Sequence, residues 1–217
     1  MSKIDWKNKI FLTKAILIIY FSVGVAGLIW DVTADLFTRL IPLTLLASIT
    51  VLLAFHPKWQ KRHVWVFALI ALLGYLFEVA GVLTGVVFGE YQYHYALGFK
   101  IFGTPPIIGI NWLMLIYAVY TIFEKHSIPA YLKVIGGASL MLVYDIILEP
   151  VAIALNMWSW GGGDIPIQNY IAWFVISVAF LGIFHLAKVP INNPIARHMY
   201  LVQLGFFLVL NIYFRMA

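Results

Sequence analysis

Apolar residues fall into seven long runs that are separated by short polar or glycine-rich segments. The runs cover about residues 10–30, 36–55, 64–88, 105–123, 129–156, 168–187 and 197–215. A helix that crosses a bilayer needs roughly 20 mostly apolar residues, and each run is close to that length. The pattern predicts an all-α, polytopic transmembrane helical bundle of about seven helices, with residues 1–217 forming a single integral membrane domain.

Composition supports this assignment and removes several function classes. Hydrophobic residues make up 63% of the chain, charged residues only 11%, and the mean hydropathy is +0.95. A soluble domain carries about 25% charged residues, so most of this surface must face lipid. The chain has no cysteine, which excludes a disulfide framework, a thiolate metal site, an iron–sulfur cluster and a cysteine nucleophile.

Basic residues predict the orientation of the bundle. With the N-terminus in the cytoplasm, the inner segments carry Lys3, Lys7, Lys9, Lys14, Lys58, Lys61, Arg62, Lys125, Lys133, Lys188 and Arg197, and the outer segments carry Arg39, Lys100 and Arg215. This bias follows the positive-inside rule. The net charge of +5 therefore reflects topology, and we expect no nucleic-acid partner.

Two predicted outer loops are rich in aromatic residues and glycine. One covers residues 89–106 (GEYQYHYALGFKIFGTPP) and the other residues 158–166 (WSWGGGDIP). Tyr and Trp favour the membrane interface, and glycine permits backbone shapes that other residues rarely adopt. The loops are either turns within an aromatic belt or the frame of a pocket mouth for an apolar guest.

Three carboxyl groups lie inside the predicted spans. Glu78 is in the third span, and Asp145 and Glu149, four residues apart, share one face of the fifth. No Lys or Arg lies in the central part of any span, and unpaired carboxyl groups in apolar surroundings favour their neutral form. Such groups can act as acids near neutral pH. The alternative interpretation is that they only hold the bundle together through hydrogen bonds.

Other membrane enzyme classes fit the sequence poorly. The six histidines show no pair at three- or four-residue spacing, unlike the dense histidine clusters of di-iron hydroxylases, and we predict no metal site. The last span lacks the lysine of a retinal protein, and Asp145 with Glu149 supplies at most one acidic motif of a prenyltransferase. Gly81, Gly85 and Gly89 are predicted to allow close packing of the Glu78 helix.

Several motifs in a fixed order resemble one family. They are Glu78 with FGEYQYHYALGFKIFGTPPIIGINWLM, then YDIILEP, then WSWGGGDIPIQNYIAWF. Over about residues 74–185 the chain resembles the CruF-type carotenoid hydratases, which include the bisanhydrobacterioruberin hydratases and are related to small membrane-embedded lycopene cyclases. The resemblance implies that water is added to the terminal double bond of an acyclic carotenoid, without a redox cofactor. It also implies a multi-pass protein of a prokaryotic cytoplasmic membrane, in contact with lipid and with other carotenoid-pathway enzymes.

In that reaction an acid protonates the alkene and water captures the tertiary carbocation. Asp145 or Glu149 is the expected acid, and Glu78 is the expected partner of the water. Aromatic faces stabilise cations. The expected substrate-binding aromatic residues are Tyr91, Tyr93, Trp112, Tyr117, Tyr144, Trp158, Trp160 and Trp173. Asn111 and Asn169 are expected to be polar supports.

Three other functions stay open at this point. A carotenoid cyclase would form the same cation but close a ring, and it would need a dry, curved aromatic pocket. A non-catalytic carotenoid-binding protein would leave pigments unchanged when the three acids are substituted. A transporter would move substrate without a new product, although related halves, which are common in transporters, are not visible.

Overall fold

A computed structural model describes residues 3–124, 126–189 and 192–216. Lys125, one of the inner basic residues, lies outside the described residues. Eight helices occupy the described ranges: α1 (Lys3–Ile29), α2 (Asp31–Arg39), α3 (Ile41–Ala54), α4 (Lys61–Thr84), α5 (Ile107–Glu124), α6 (Ala130–Ala154), α7 (Ile167–Leu186) and α8 (Ala196–Met216). Two short strands are β1 (Tyr91–Tyr93) and β2 (Trp158–Trp160). The predicted all-α polytopic bundle is confirmed.

Six of these helices are long and apolar enough to cross a membrane, so the chain is a multi-pass membrane protein. The second predicted span differs, because α2 and α3 meet at a bend of 56°. Pro42 lies in the first turn of α3, where it has no N–H to donate and its ring obstructs the preceding turn. The pair makes up the seventh span if both helices are counted as one.

Helix α5 is the centre of the bundle. It packs against α3, α4, α6, α7 and α8, and nearly all of its side chains are buried. Two glycines permit its close approach to α4. A Cβ atom at Gly74 would lie 2.7 Å from the Cβ of Trp112, and one at Gly109 would collide with the backbone carbonyl of Ala71.

The predicted glycine stripe on the Glu78 helix is wrong. Helix α4 ends at Thr84, before the predicted end of this span at residue 88. Gly85 caps the helix in the left-handed conformation (φ +67°), and Gly89 lies in the following loop with φ +107°. Of the three glycines in the predicted stripe, only Gly81 is helical, because a left-handed residue ends an α-helix. Residues 85–90, which follow the end of α4, lead directly into β1.

Candidate active site

The two aromatic loops pair with each other above the bundle. Strands β1 and β2 are antiparallel, with Tyr91 opposite Trp160 and Tyr93 opposite Trp158. Because alternate residues of a strand share a face, these four side chains point the same way. They line one wall of a cavity of about 650 Å³. A hydrogen bond of 2.8 Å between His94 Nε2 and Ser159 Oγ also joins the two loops.

Glu78 lies in this cavity and accepts three side-chain hydrogen bonds. The hydroxyls of Tyr91 and Tyr93 each donate to Oε2 at 2.7 Å, and Trp112 Nε1 donates to Oε1 at 3.0 Å. Burial, and then the Glu78 carboxyl group, raise the pKa of both tyrosine hydroxyls well above the ordinary value. The tyrosines therefore stay protonated and act as donors. Both Glu78 oxygens thus serve as acceptors for three neutral donors.

Glu149 also lines the cavity and is held by neutral donors. Its Oε2 accepts the indole N–H groups of Trp158 at 3.1 Å and Trp160 at 3.0 Å. The Asn169 amide donates to Glu149 Oε1 at 3.3 Å and to Asp145 Oδ2 at 2.8 Å. One amide from α7 thus joins the two acids of α6, as their four-residue spacing predicts.

Asp145 lies behind this amide and does not line the cavity. It is fully buried, and its Oδ1 atom has no hydrogen-bond partner among the described residues. Within the same residues the recorded ion pair joins Arg39 to Asp35 on the exposed α2, so the three buried acids have no cationic partner there. Two neighbouring carboxyl groups without a cation would repel each other if both were ionised.

Aromatic and amide side chains complete the cavity. Trp112 and Trp173 stack with ring centroids 4.3 Å apart, and Tyr144 faces the same space. Asn111 also lines the cavity, and its amide makes no hydrogen bond to another described residue. A buried amide without a protein partner usually binds water or a ligand.

The structure brings most of the expected site residues to this cavity. Those that line it are Glu78, Tyr91, Tyr93, Asn111, Trp112, Tyr144, Glu149, Trp158, Trp160, Asn169 and Trp173. Tyr117 is not brought to it. Its hydroxyl lies 2.9 Å from His56 Nδ1 and accepts a hydrogen bond from Asn193 at 3.1 Å. His56 Nε2 lies 3.0 Å from His63 Nδ1, so these four residues form a separate histidine cluster.

The sequence reasoning missed Gln203 of α8 and the apolar wall. Gln203 is buried, and its Oε1 accepts a long hydrogen bond of 3.4 Å from Tyr144. A polar residue in the middle of a span is a signal in itself, but Gln203 lies outside the motifs that indicate the site. Phe88, Leu148 and Met157 also line the cavity, and no sequence pattern separates them from other apolar residues. No group of three His, Asp or Glu side chains within the described ranges could hold a metal ion.

Comparisons with known proteins identify the family of this chain. A family model described as carotenoid biosynthesis protein matches residues 40–217. The chain is 25% identical over 134 residues to the bisanhydrobacterioruberin hydratase of Haloarcula japonica, and the alignment covers 58% of this chain and 46% of that protein. The chain thus matches about half the length of this curated relative. No solved structure matches significantly. Because the family model covers most of the chain, this membrane protein belongs to the carotenoid biosynthesis protein family.

Proposed function

We propose that this protein is a carotenoid hydratase, which adds water to the terminal double bond of an acyclic carotenoid and produces a tertiary alcohol. The observation that carries the proposal is that Glu78 and Glu149 line one cavity and have no cationic partner among the described residues. The named activity of the Haloarcula japonica relative supports the same reaction.

Glu149 is the proposed proton donor, because it lines the cavity whereas Asp145 does not. It protonates the terminal alkene, so that a C–H bond forms, the π bond breaks and Glu149 becomes a carboxylate. Trp158 and Trp160 donate to the oxygen atom that receives this charge. Hydrogen bonds to a charged acceptor are worth about 1.5–3 kcal/mol each, so the indoles make the proton easier to release.

The tertiary carbocation then forms between negative groups and aromatic faces. The carboxylates of Glu78 and Glu149 attract it, and a cation over a desolvated aromatic ring gains about 2 kcal/mol. The stacked pair of Trp112 and Trp173 offers such a surface. Buried anions are costly in a membrane. Their placement around a cavity with an apolar lining suits a positively charged intermediate.

Water captures the cation, and Glu78 accepts the proton that this water loses. The amide of Asn111, which has no hydrogen-bond partner among the described residues, orients the water. The added proton and the captured hydroxide sum to one water molecule, so no redox cofactor takes part. A proton must finally return from Glu78 to Glu149. Tyr91 donates to Glu78, and its ring centroid is 5.2 Å from that of Trp160, which donates to Glu149. Tyr91 therefore lies between the two acids. The polar groups that can hold water favour hydration over cyclisation.

Expression in a lycopene-accumulating bacterium tests the proposal. Pigments are extracted and separated by chromatography, and their molecular masses are measured by mass spectrometry. A product heavier by one water, with unchanged polyene absorption, is expected. An isomer of unchanged mass that absorbs at shorter wavelength would instead identify a cyclase.

Substitution of the acids separates catalysis from simple binding. The triple variant Glu78→Gln, Asp145→Asn, Glu149→Gln is expected to leave lycopene unaltered, with the protein still present in the membrane fraction. Glu90→Gln, the same change at an exposed carboxyl group beside β1, is the matched control and should keep wild-type conversion. Equal pigment profiles for the wild type and the triple variant would support a non-catalytic carotenoid-binding protein.

A further inference from the structure

A second, larger cavity lies between α1, α3 and α8. Its empty space is about 1010 Å³, and its walls are mostly apolar, with Phe21, Leu28 and Phe206 among the lining residues. We call it the lateral cavity. Helix α1, which forms one of its walls, precedes the residues that the family model matches.

The lateral cavity adjoins the cavity that contains Glu78 and Glu149, which we call the acid cavity. Five residues line both spaces: Ile41, Leu45, Tyr144, Met157 and Phe207. A long apolar molecule whose end lies beside Glu149 would therefore leave the acid cavity past Tyr144. Its remaining length would lie against α1, α3 and α8.

The lateral cavity also reaches the surface that faces lipid. The backbones of α1 and α3 do not approach each other closely within the described residues. The gap between them is bridged by a hydrogen bond of 3.0 Å between the hydroxyls of Tyr20 and Thr44. Beside this bridge, the lining residues Val23 and Leu43 are exposed. Tyr20 and Thr44 lie near the middle of the first two predicted spans. The opening therefore faces membrane lipid, or a molecule dissolved in it.

We infer that the lateral cavity is the binding channel for the conjugated chain of the carotenoid, which enters from the bilayer between α1 and α3. This inference rests on the proposed function for the identity of the ligand. The chain of such a substrate is rigid, flat and apolar, and the cavity offers aromatic side chains from three helices, namely Phe21, Phe37 and Phe206. Aromatic residues contribute large contact areas with specific geometry. The acyl chain of a membrane lipid is the competing occupant.

Gly24 provides the sharpest test of the channel. It lines the lateral cavity, and a Cβ atom there would lie 3.2 Å from Phe206. In Gly24→Leu the added side chain would fill the channel. Each protein is purified in detergent from a lycopene-accumulating bacterium, and polyene absorbance is compared with protein concentration. We expect about tenfold less bound polyene for Gly24→Leu. The control is Gly182→Leu on α7, where a Cβ atom would meet nothing within 4 Å.

A change at the entrance keeps the test informative if Gly24→Leu does not fold. Leu43 is 59% exposed at the opening, whereas Leu46, which is 42% exposed on the same helix, does not line the cavity. Leu43→Trp is expected to slow uptake of lycopene added in liposomes about tenfold, and Leu46→Trp should behave like the wild type. Wild-type polyene binding and uptake in both Gly24→Leu and Leu43→Trp would overturn the channel.

Two outcomes distinguish this inference from the proposed function. If the wild type binds polyene in a Gly24-dependent way but makes no hydrated product, the proposed reaction fails and the channel stands. If hydration occurs while Gly24→Leu loses only a tightly bound phospholipid, detected by mass spectrometry of the purified protein, the cavity is a lipid site and the channel fails.

Discussion

Two buried polar groups of side chains lie at different levels of α5 and differ in what they leave unpaired. The histidine cluster of His56, His63, Tyr117 and Asn193 is joined by hydrogen bonds between its own side chains, and its His63 Nε2 atom is buried without a hydrogen-bond partner among the described residues. The acid cavity also contains many hydrogen bonds, but within the described part of the chain it combines them with open space, an Asn111 amide that has no hydrogen-bond partner and acids that have no cationic partner.

The difference shows that a buried polar residue in a membrane bundle is not by itself a functional residue. Tyr117 and Trp112 are both aromatic, fully buried and five positions apart on one helix. Trp112 faces a cavity and a carboxyl group, whereas Tyr117 faces histidine and asparagine. We therefore expect substitutions in the acid cavity to reduce activity, and substitutions in the histidine cluster to reduce stability.

The largest expected effect is that of Glu149→Gln. General acids typically contribute a factor of about 10²–10⁴ to rate, and glutamine cannot donate a proton of that acidity. We expect conversion of lycopene to fall by about that factor, measured as product per amount of membrane protein. The Glu90→Gln control should convert normally. Full conversion by Glu149→Gln would move the proton donor to Asp145 or Glu78.

A smaller effect is expected when the indole donors are removed. Trp160→Phe retains an aromatic ring but takes away the 3.0 Å hydrogen bond to Glu149. A hydrogen bond to a charged group is worth about 1.5–3 kcal/mol, so the initial rate should fall about 10- to 100-fold. Trp65→Phe, at an exposed tryptophan of α4, should have the wild-type rate. An unchanged rate in Trp160→Phe would mean that charge on Glu149 does not develop in the slow step.

Most of the fold could be predicted, because long apolar runs have few alternatives in a membrane. The errors lie where local backbone chemistry overrides hydrophobicity. Pro42 divides the second run, and Gly85 ends α4 inside a stretch that is still apolar. The pairing of β1 with β2 could not be read from the sequence, since it joins residues that are more than 60 positions apart.

The acids could be predicted, but their separate roles could not. Four-residue spacing identified Asp145 and Glu149 as neighbours, whereas only the packing of α7 shows that Asn169 separates Asp145 from the cavity. The prediction for Tyr117 rests on its residue type and its nearness to the motifs in sequence. Its hydrogen-bond partners are His56 and Asn193, which are distant in sequence and form no motif.

Within the histidine cluster, Tyr117→Phe is expected to change stability rather than chemistry. It removes the partner of His56 Nδ1 and one acceptor of the Asn193 amide. An unsatisfied buried polar group costs about 1–3 kcal/mol, so the thermal unfolding temperature in detergent should fall, with product formation per folded molecule unchanged. Tyr131→Phe, at an exposed tyrosine, should match the wild type. A rate loss at equal stability would place Tyr117 in the reaction.

The smallest expected effect is a pH dependence of stability that comes from His56. Burial, and then the neighbouring His63, lower the pKa of His56 in the folded protein. The unfolded chain therefore binds a proton at a pH where the folded protein does not, and stability rises with pH in that interval. The contribution is complete above about pH 6.5, the ordinary value for histidine, and is lost as the pH falls towards the lower pKa of the folded state. Thermal unfolding between about pH 7.5 and 5.5 should show this decline, and His56→Asn should flatten it, whereas His126→Asn at an exposed position should not. A decline that is equally steep in His56→Asn would assign the pH dependence to other groups and leave the histidine cluster with a purely structural role.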